Sequence, residues 1–173
     1  DEPFRYEGGR EVRNWWGSSY RGDMTVRTAI AQSANVCAVK TLTEITPRLG
    51  FDYCKNLGIT TLVESRDVEG VGIVSDIAQS TALGGLTDGI YNYEMCGSFA
   101  AIANNGVYNR PTLYSRVLDH EGNVLLDGTP DSHQALQDST AYLLTSAMQT
   151  VVESGTGTGA RLRNMPVAGK TGT

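Results

Sequence analysis

Two short polar stretches of this chain carry residue types that suit acyl-transfer chemistry. Ser33 and Asn35 are separated by one alanine, and a Lys-Thr-Gly-Thr run covers Lys170 to Thr173. A lysine cation beside two hydroxyl groups makes a receptor for a carboxylate, and a glycine beside them lets a substrate backbone lie along the chain as an added strand. A serine near an asparagine, held by helix ends, can pass a proton and orient an amide. These residues therefore predict acyl transfer on a peptide that ends in a carboxylate.

The Gly-Lys-Thr at residues 169–171 also matches the end of a phosphate-binding loop, G-x-x-x-x-G-K-[ST]. With Gly169 as the second glycine of that motif, the first belongs at position 164, which is Asn164. Pro166 removes one of the backbone N–H groups that would surround a phosphate. The spacing therefore excludes a nucleotide-phosphate site of this type.

Two helices and one strand are needed to position these stretches. Apolar residues recur at helical spacing on both sides of the Ser-Ala-Asn turn, so we predict two short helices, the first capped by Thr25 and the second by Asn35. The residues from Met165 onward predict a strand that carries Lys170 and Thr171, and no neighbouring run offers this strand a partner. We therefore expect the strand either to pair or pack outside the 173 residues or to be poorly ordered.

The remaining residues predict a helix-rich α/β fold without internal repeats. Residues 110–127 predict a hairpin with a polar turn, and residues 59–74 predict a loop. Trp15 and Trp16 are expected to anchor the irregular first two dozen residues onto the core. Four further helices are predicted from cap residues and terminal glycines. One lies within 46–58, one starts after Ser75, one ends before Gly106, and one starts after a cap at Asp138 or Ser139.

The composition limits the possible functions. The 173 residues suffice for one domain with a sizeable core. A net charge of −5 argues against a nucleic-acid partner. The sequence has three cysteines and no C-x-x-C, which indicates neither a disulfide framework nor a zinc site. No apolar run approaches the roughly 20 residues of a membrane span. We expect no metal and no cofactor.

The order of the two polar stretches resembles that of a known family. Penicillin-binding proteins and serine β-lactamases carry S-x-x-K, then S-x-N, then K-[ST]-G, and residues 33–35 and 170–172 match the second and third motifs. Three longer stretches, YRGDMTVRTAIAQSANVCAVK, ALGGLTDGIYNYEM and GTGTGA, are similar to the transpeptidase domain of bifunctional, class A penicillin-binding proteins. The resemblance runs from about Asn14 to Thr173.

The S-x-x-K motif is absent from the 173 residues, because no serine is followed by lysine at the third position. In the family this motif lies upstream of the part that residues 1–173 match, and further sheet strands follow K-T-G. We therefore expect residues 1–173 to be a partial penicillin-binding domain: a helical subdomain, a hairpin and the K-T-G strand of the antiparallel sheet. The upstream nucleophile segment and the downstream strands would belong to the remainder of the same domain.

The resemblance implies a catalytic role for three residues. In the family the S-x-x-K serine attacks the carbonyl of the penultimate D-alanine of a stem peptide. Ser33 would relay a proton to the leaving D-alanine or to a lactam nitrogen. Asn35 would hold the substrate's side-chain amide and the upstream lysine, and Lys170 would supply positive potential. Without Lys170 in the pattern, Ser33 and Asn35 would be interpreted as capping residues only, and Lys170 alone would be a solvated charge.

The resemblance also implies a substrate-binding role for the residues after Lys170. Thr171 and Thr173 would bind the substrate carboxylate, and Gly172 would let the substrate lie along the strand. The backbone N–H of Thr173 would supply half of an oxyanion hole, whose loss typically costs about 10²–10³ in rate. The glycine-rich residues 155–159 would form a loop beside the substrate groove.

The function implied is that of a peptidoglycan D,D-transpeptidase, acting on D-Ala-D-Ala stem peptides and acylated by β-lactam antibiotics. The parent protein would be membrane-anchored on the extracytoplasmic face, and this chain alone would be inactive. A β-lactamase or a D,D-carboxypeptidase of the same superfamily, or a non-catalytic penicillin-recognising sensor, are alternatives. An upstream S-x-x-K motif would indicate an enzyme rather than a sensor.

Overall fold

In the computed structural model, which describes residues 1–172, two short helices flank the Ser-Ala-Asn turn. Helix α1 spans Val26–Ala31 and helix α2 spans Asn35–Ile45. The Thr25 hydroxyl accepts a hydrogen bond from the Thr28 N–H, so the predicted cap of α1 is confirmed. The predicted cap of α2 is wrong: Asn35 is the first residue of the helix, and no side chain of the preceding residue caps it.

Helix α3 spans Pro47–Asn56 and begins and ends where the sequence predicts. The Thr46 hydroxyl accepts a backbone hydrogen bond from the first turn, and the proline occupies the first helical position. Gly58 follows the helix with a φ of +88°, a left-handed conformation that favours glycine. Phe51, on the buried face of α3, is 1% exposed and anchors the helix in a hydrophobic cluster.

Two longer helices complete the helical part. Helix α4 spans Asn92–Ala103 and helix α5 spans Asp138–Ser154, as predicted. The predicted cap of α5 is wrong, because Gln137 occupies the cap position. Asp138 is the first helical residue, and its carboxylate accepts the Ser139 N–H at 2.7 Å. A carboxylate in the first turn is stabilised by the helix dipole there.

Six short strands form three antiparallel pairs among residues 1–172. The predicted hairpin within 110–127 is confirmed. The loop predicted for 59–74 is wrong at 66–74, which forms two strands of three residues each. These strands are mostly exposed and too short to show an alternation of apolar and polar residues. A third pair joins strands that are far apart in the sequence and was not predicted. The pairs are β1 (Arg66–Val68) with β2 (Gly72–Val74), β3 (Val107–Asn109) with β6 (Ser132–Gln134), and β4 (Arg116–Leu118) with β5 (Val124–Asp127).

The helix predicted after Ser75 is a 3₁₀ turn that begins later, at Gln79–Leu83, and Ser75 does not cap it. The residue that organises this region is Asp76, which is 2% exposed. Its carboxylate accepts the Val63 N–H at 2.8 Å and both the N–H and the hydroxyl of Thr87 at 2.7 Å. Asp76 therefore ties the glycine-rich turn to the segment before β1.

The segment that precedes α1 packs against α2. Val12, Val36 and Val39 form one cluster and are each at most 1% exposed. Burying each of these side chains contributes roughly 1.5–3 kcal/mol. The prediction that Trp15 anchors this segment onto the core is wrong, because its side chain is 56% exposed; only its indole N–H bonds, to a backbone oxygen at the end of α1. The segment is thus fixed beside the Ser-Ala-Asn turn.

An arginine of helix α1 forms hydrogen bonds with helix α5. Arg27 Nη1 donates to the Ser146 carbonyl oxygen at 2.7 Å and to the Thr150 hydroxyl at 3.0 Å. These contacts bring the end of α5, and the glycine-rich loop after it, to the end of α1. None of the helices in residues 1–172 is both long and apolar enough to cross a bilayer.

The strand predicted from Met165 is wrong for the described residues, since residues 165–172 have no strand pairing. A strand requires a hydrogen-bonded neighbour, whereas this segment is held by contacts to helices. The Gly169 N–H donates to the Met148 carbonyl oxygen of α5 at 3.3 Å. The Lys-Thr-Gly residues are therefore positioned by α5 rather than by a sheet.

Candidate active site

The Lys170 ammonium contacts the Ser33 hydroxyl, although the two residues are 137 positions apart in the sequence. Lys170 Nζ donates to Ser33 Oγ at 2.8 Å and to the Thr171 carbonyl oxygen at 2.9 Å. Burial around the ammonium lowers the pKa of Lys170 below the ordinary lysine value of 10.5. The structure thus brings together two of the residues that the sequence singles out.

The turn presents Ser33 in an unusual backbone conformation. Its φ is +52°, in the left-handed region that non-glycine residues rarely adopt. Two backbone hydrogen bonds stabilise the turn, from the Ser33 N–H to the Ile30 oxygen at 3.1 Å and from the Ala34 N–H to the Ala29 oxygen at 2.9 Å. This sharp reversal holds the hydroxyl against Lys170.

Asn35 lies on the first turn of α2, two residues after Ser33. Its Nδ2 donates to the Arg13 carbonyl oxygen at 3.0 Å. The side chain is half-buried and is oriented by the segment before α1. Asn35 therefore shares the turn with Ser33 and is held by a different element from the one that holds Lys170.

Thr156 is a site residue that the sequence did not single out. Its hydroxyl lies 2.7 Å from the Thr171 hydroxyl, and either group can donate. The Thr156 N–H donates to the Ala31 oxygen at the end of α1, at 3.0 Å. A Cβ on Gly155 would lie 2.3 Å from that same oxygen, so this close approach requires glycine. The alternation of glycine and threonine after α5 was the available signal.

The last predicted site residues are described only in part. Gly172 is exposed, and a Cβ built on it would meet open space. Thr173 lies outside the described residues, so its roles in carboxylate binding and in the oxyanion hole stay predictions. Lys170 and Thr171 are thus the residues of the Lys-Thr-Gly-Thr run with observed side-chain partners.

Comparison with known proteins identifies the family. A family model described as the penicillin binding protein transpeptidase domain matches residues 1–173. Penicillin-binding protein 1A/1B of Bacillus subtilis strain 168 is 32% identical over 176 residues, which cover 100% of this chain and 18% of that protein. Penicillin-binding protein 1A of Streptococcus pneumoniae strain R6 is 32% identical over 173 residues, which cover 100% and 23%. The chain spans between 18% and 23% of the length of these curated relatives.

Solved structures show the same fold. The D,D-transpeptidase domain of a peptidoglycan glycosyltransferase from Eggerthella lenta matches with a TM-score of 0.73 at 23% identity, over 98% of this chain and 46% of that one. Penicillin binding protein 3 from Mycobacterium tuberculosis, complexed with ampicillin, matches with a TM-score of 0.74 at 24% identity, over 99% and 42%. These matches confirm the mixed α/β class, and the family model and the curated relatives confirm the resemblance found in the sequence. The chain belongs to the penicillin-binding protein transpeptidase domain family.

Proposed function

We propose that this chain supplies two sides of the active site of a serine-type peptidoglycan D,D-transpeptidase. The observation that carries the proposal is the 2.8 Å contact between Lys170 Nζ and Ser33 Oγ, since it joins the second and third family motifs in one place. The nucleophile would be the serine of an S-x-x-K motif in the remainder of the domain. Residues 1–173 would thus be a partial domain, inactive when separated from that serine.

Ser33 would act as a proton relay during acylation. The serine of the absent motif would pass its proton to the lysine of that motif while its Oγ attacks the carbonyl carbon of the penultimate D-alanine. The C–N bond then breaks, and the leaving amine must gain a proton. An ammonium group has donors only, so the Ser33 oxygen accepts from Lys170 and its own proton is free for the leaving nitrogen. The lowered pKa of Lys170 favours passing a proton on to Ser33.

The residues around Lys170 would hold the terminal carboxylate of the substrate. A lysine cation and a threonine hydroxyl form a charge-assisted receptor for such a group. The Thr171 hydroxyl would bind the carboxylate, and the hydrogen bond with the Thr156 hydroxyl would fix the direction of the Thr171 hydroxyl. Gly172 leaves room for a substrate backbone, and Thr173 is assigned from its place in the motif alone.

Asn35 would hold the substrate's side-chain amide, as well as the lysine of the absent motif. In the parent protein, residues 166–172 would pair with strands from the remainder of the domain. That parent would be anchored in the membrane and would act outside the cytoplasm, where stem peptides and β-lactams are met. The match to penicillin-binding proteins 1A favours a transpeptidase over a β-lactamase or a sensor.

Acylation of the parent protein by a fluorescent penicillin tests this function. Ser33→Ala and Lys170→Met should each lower the acylation rate by about 10²–10⁴-fold, as expected for loss of proton transfer. Ser139→Ala, on the exposed start of α5, is the matched control and should react normally. A wild-type parent that is never acylated would refute the proposal. Rapid release of the bound penicillin would indicate a β-lactamase instead.

A further inference from the structure

Three consecutive residues before α1 each bond to the end of α1 or to the first turn of α2. We call Arg13–Trp15 the clamp segment. Each of its residues contributes one hydrogen bond, through a different chemical group. The bonds run from the Val36 N–H to Asn14 Oδ1 at 3.2 Å, from Asn35 Nδ2 to the Arg13 oxygen at 3.0 Å, and from Trp15 Nε1 to the Gln32 oxygen at 2.8 Å.

The start of α2 needs such an outside partner. The first N–H groups of a helix have no partner within the helix, and Ala34, the residue in the cap position, has no side-chain acceptor. Val36 is fully buried, so water does not reach its N–H. Asn14, itself only 5% exposed, supplies the acceptor from a separate part of the chain. Its Nδ2 donates to Asp1 Oδ1 at 2.9 Å, which fixes the direction of the amide.

This arrangement changes what Asn35 can do. An asparagine that caps its own helix uses its side-chain oxygen on a backbone N–H. Here Asn14 satisfies the Val36 N–H, and Asn35 donates through Nδ2 to the clamp segment. The Oδ1 atom of Asn35 is therefore the group left to accept a hydrogen bond from a substrate amide.

We propose that Asn14 is a positioning residue for the Ser33–Asn35 turn, and that it acts by capping α2 from outside the helix. It does not touch the substrate. Its loss would leave the buried Val36 N–H without a partner, and the turn would shift to expose that group to water. Ser33 and Asn35 would then move relative to Lys170, and a shift of about 1 Å can lower a reaction rate by about 10²-fold.

The first test measures hydrogen exchange in the parent protein and is independent of catalysis. Asn14→Leu keeps the size of the side chain and removes the acceptor, so the peptide covering residues 33–39 should exchange faster. Thr46→Ala is the matched control, because it removes the cap of α3 and should leave that peptide unchanged. Unchanged exchange at residues 33–39 in Asn14→Leu would overturn the proposal.

The second test rests on the proposed function and measures acylation by penicillin, separated into a dissociation constant and a rate constant. Asn14→Leu should lower the rate constant by about 10- to 10²-fold, with a smaller change in the dissociation constant. The double variant Asn14→Asp/Asp1→Asn retains an acceptor at the helix start, avoids two facing carboxylates at the Asn14–Asp1 contact, and should recover most of that rate. A rate in this double variant as low as in Asn14→Leu would show that packing, not capping, matters. If the wild-type parent is not acylated, the proposed function fails while the exchange test still decides the role of Asn14.

Discussion

Lys170 Nζ donates to Ser33 Oγ at 2.8 Å across 137 positions of the sequence. Two separate elements produce this contact: the reversed turn between α1 and α2, and the segment that crosses α5 at Met148. The partner hydroxyl is uncharged, and desolvation of the ammonium by burial lowers the pKa of Lys170.

The lowered pKa of Lys170 predicts a pH dependence of stability. Between the folded pKa and 10.5 the unfolded chain still binds a proton that the folded chain has lost, so the free energy of unfolding rises with pH in this window. The wild-type chain should therefore gain stability relative to Lys170→Met as the pH approaches 10.5 from below. Urea denaturation of both proteins over that pH range measures the difference. A difference that shrinks with rising pH would contradict the partial desolvation of this ammonium.

Thr156 is predicted to tune carboxylate binding through Thr171. Thr156→Val in the parent protein removes the hydroxyl that lies 2.7 Å from the Thr171 hydroxyl. We expect the dissociation constant for a penicillin to rise by about 2- to 10-fold, the value of one neutral hydrogen bond. Thr156→Ser should bind like the wild type. Thr158→Val changes an exposed neighbouring threonine, and an equal loss of affinity there would show that Thr156 has no special role.

The 173-residue chain by itself should form no covalent adduct with penicillin. No serine in it is followed by lysine at the third position, so the nucleophile of the family's first motif is absent. Intact-mass spectrometry after incubation with a penicillin should show the unmodified mass. An adduct mapped to Ser33 would mean that this residue, and not one in the remainder of the domain, is the nucleophile.

Asp76 is predicted to contribute more to the free energy of unfolding than the exposed carboxylate Asp88 does. Asp76→Asn leaves only one carbonyl oxygen to accept from Val63 and Thr87, so a buried N–H loses its partner at a cost of about 1–3 kcal/mol. Asp88→Asn, in an exposed ion pair with Arg66, should cost less than about 1 kcal/mol. Urea denaturation at neutral pH measures both, and equal losses would contradict the role given to Asp76.

Local signals in the sequence predicted those helices whose ends are set by nearby residues. Thr25 and Thr46 cap α1 and α3 as predicted, because each bonds a backbone N–H within its own first turn. The cap of α2 was assigned wrongly, because its true acceptor comes from Asn14, on a separate segment. That contact depends on tertiary packing, which local patterns do not reveal.

Strands and the complete site were less predictable for the same reason. The β3–β6 pair joins strands that are distant in sequence, so neither has a local signal for its partner. The strand expected from Met165 does not form within residues 165–172, because strands exist only with a hydrogen-bonded neighbour. The order of the family motifs in the sequence indicated Ser33 and Lys170, whereas Thr156 is identified only by its contact with Thr171 in the structure.

Because the backbone of Ser33 is left-handed, stability and the contact with Lys170 favour different residues at this position. A serine there bears roughly 1–2 kcal/mol of backbone strain that a glycine would avoid. Glycine, however, would remove the hydroxyl that Lys170 contacts. A library varied at this position and screened only for heat resistance should therefore enrich glycine, whereas a screen for the proposed acylation by penicillin should recover serine.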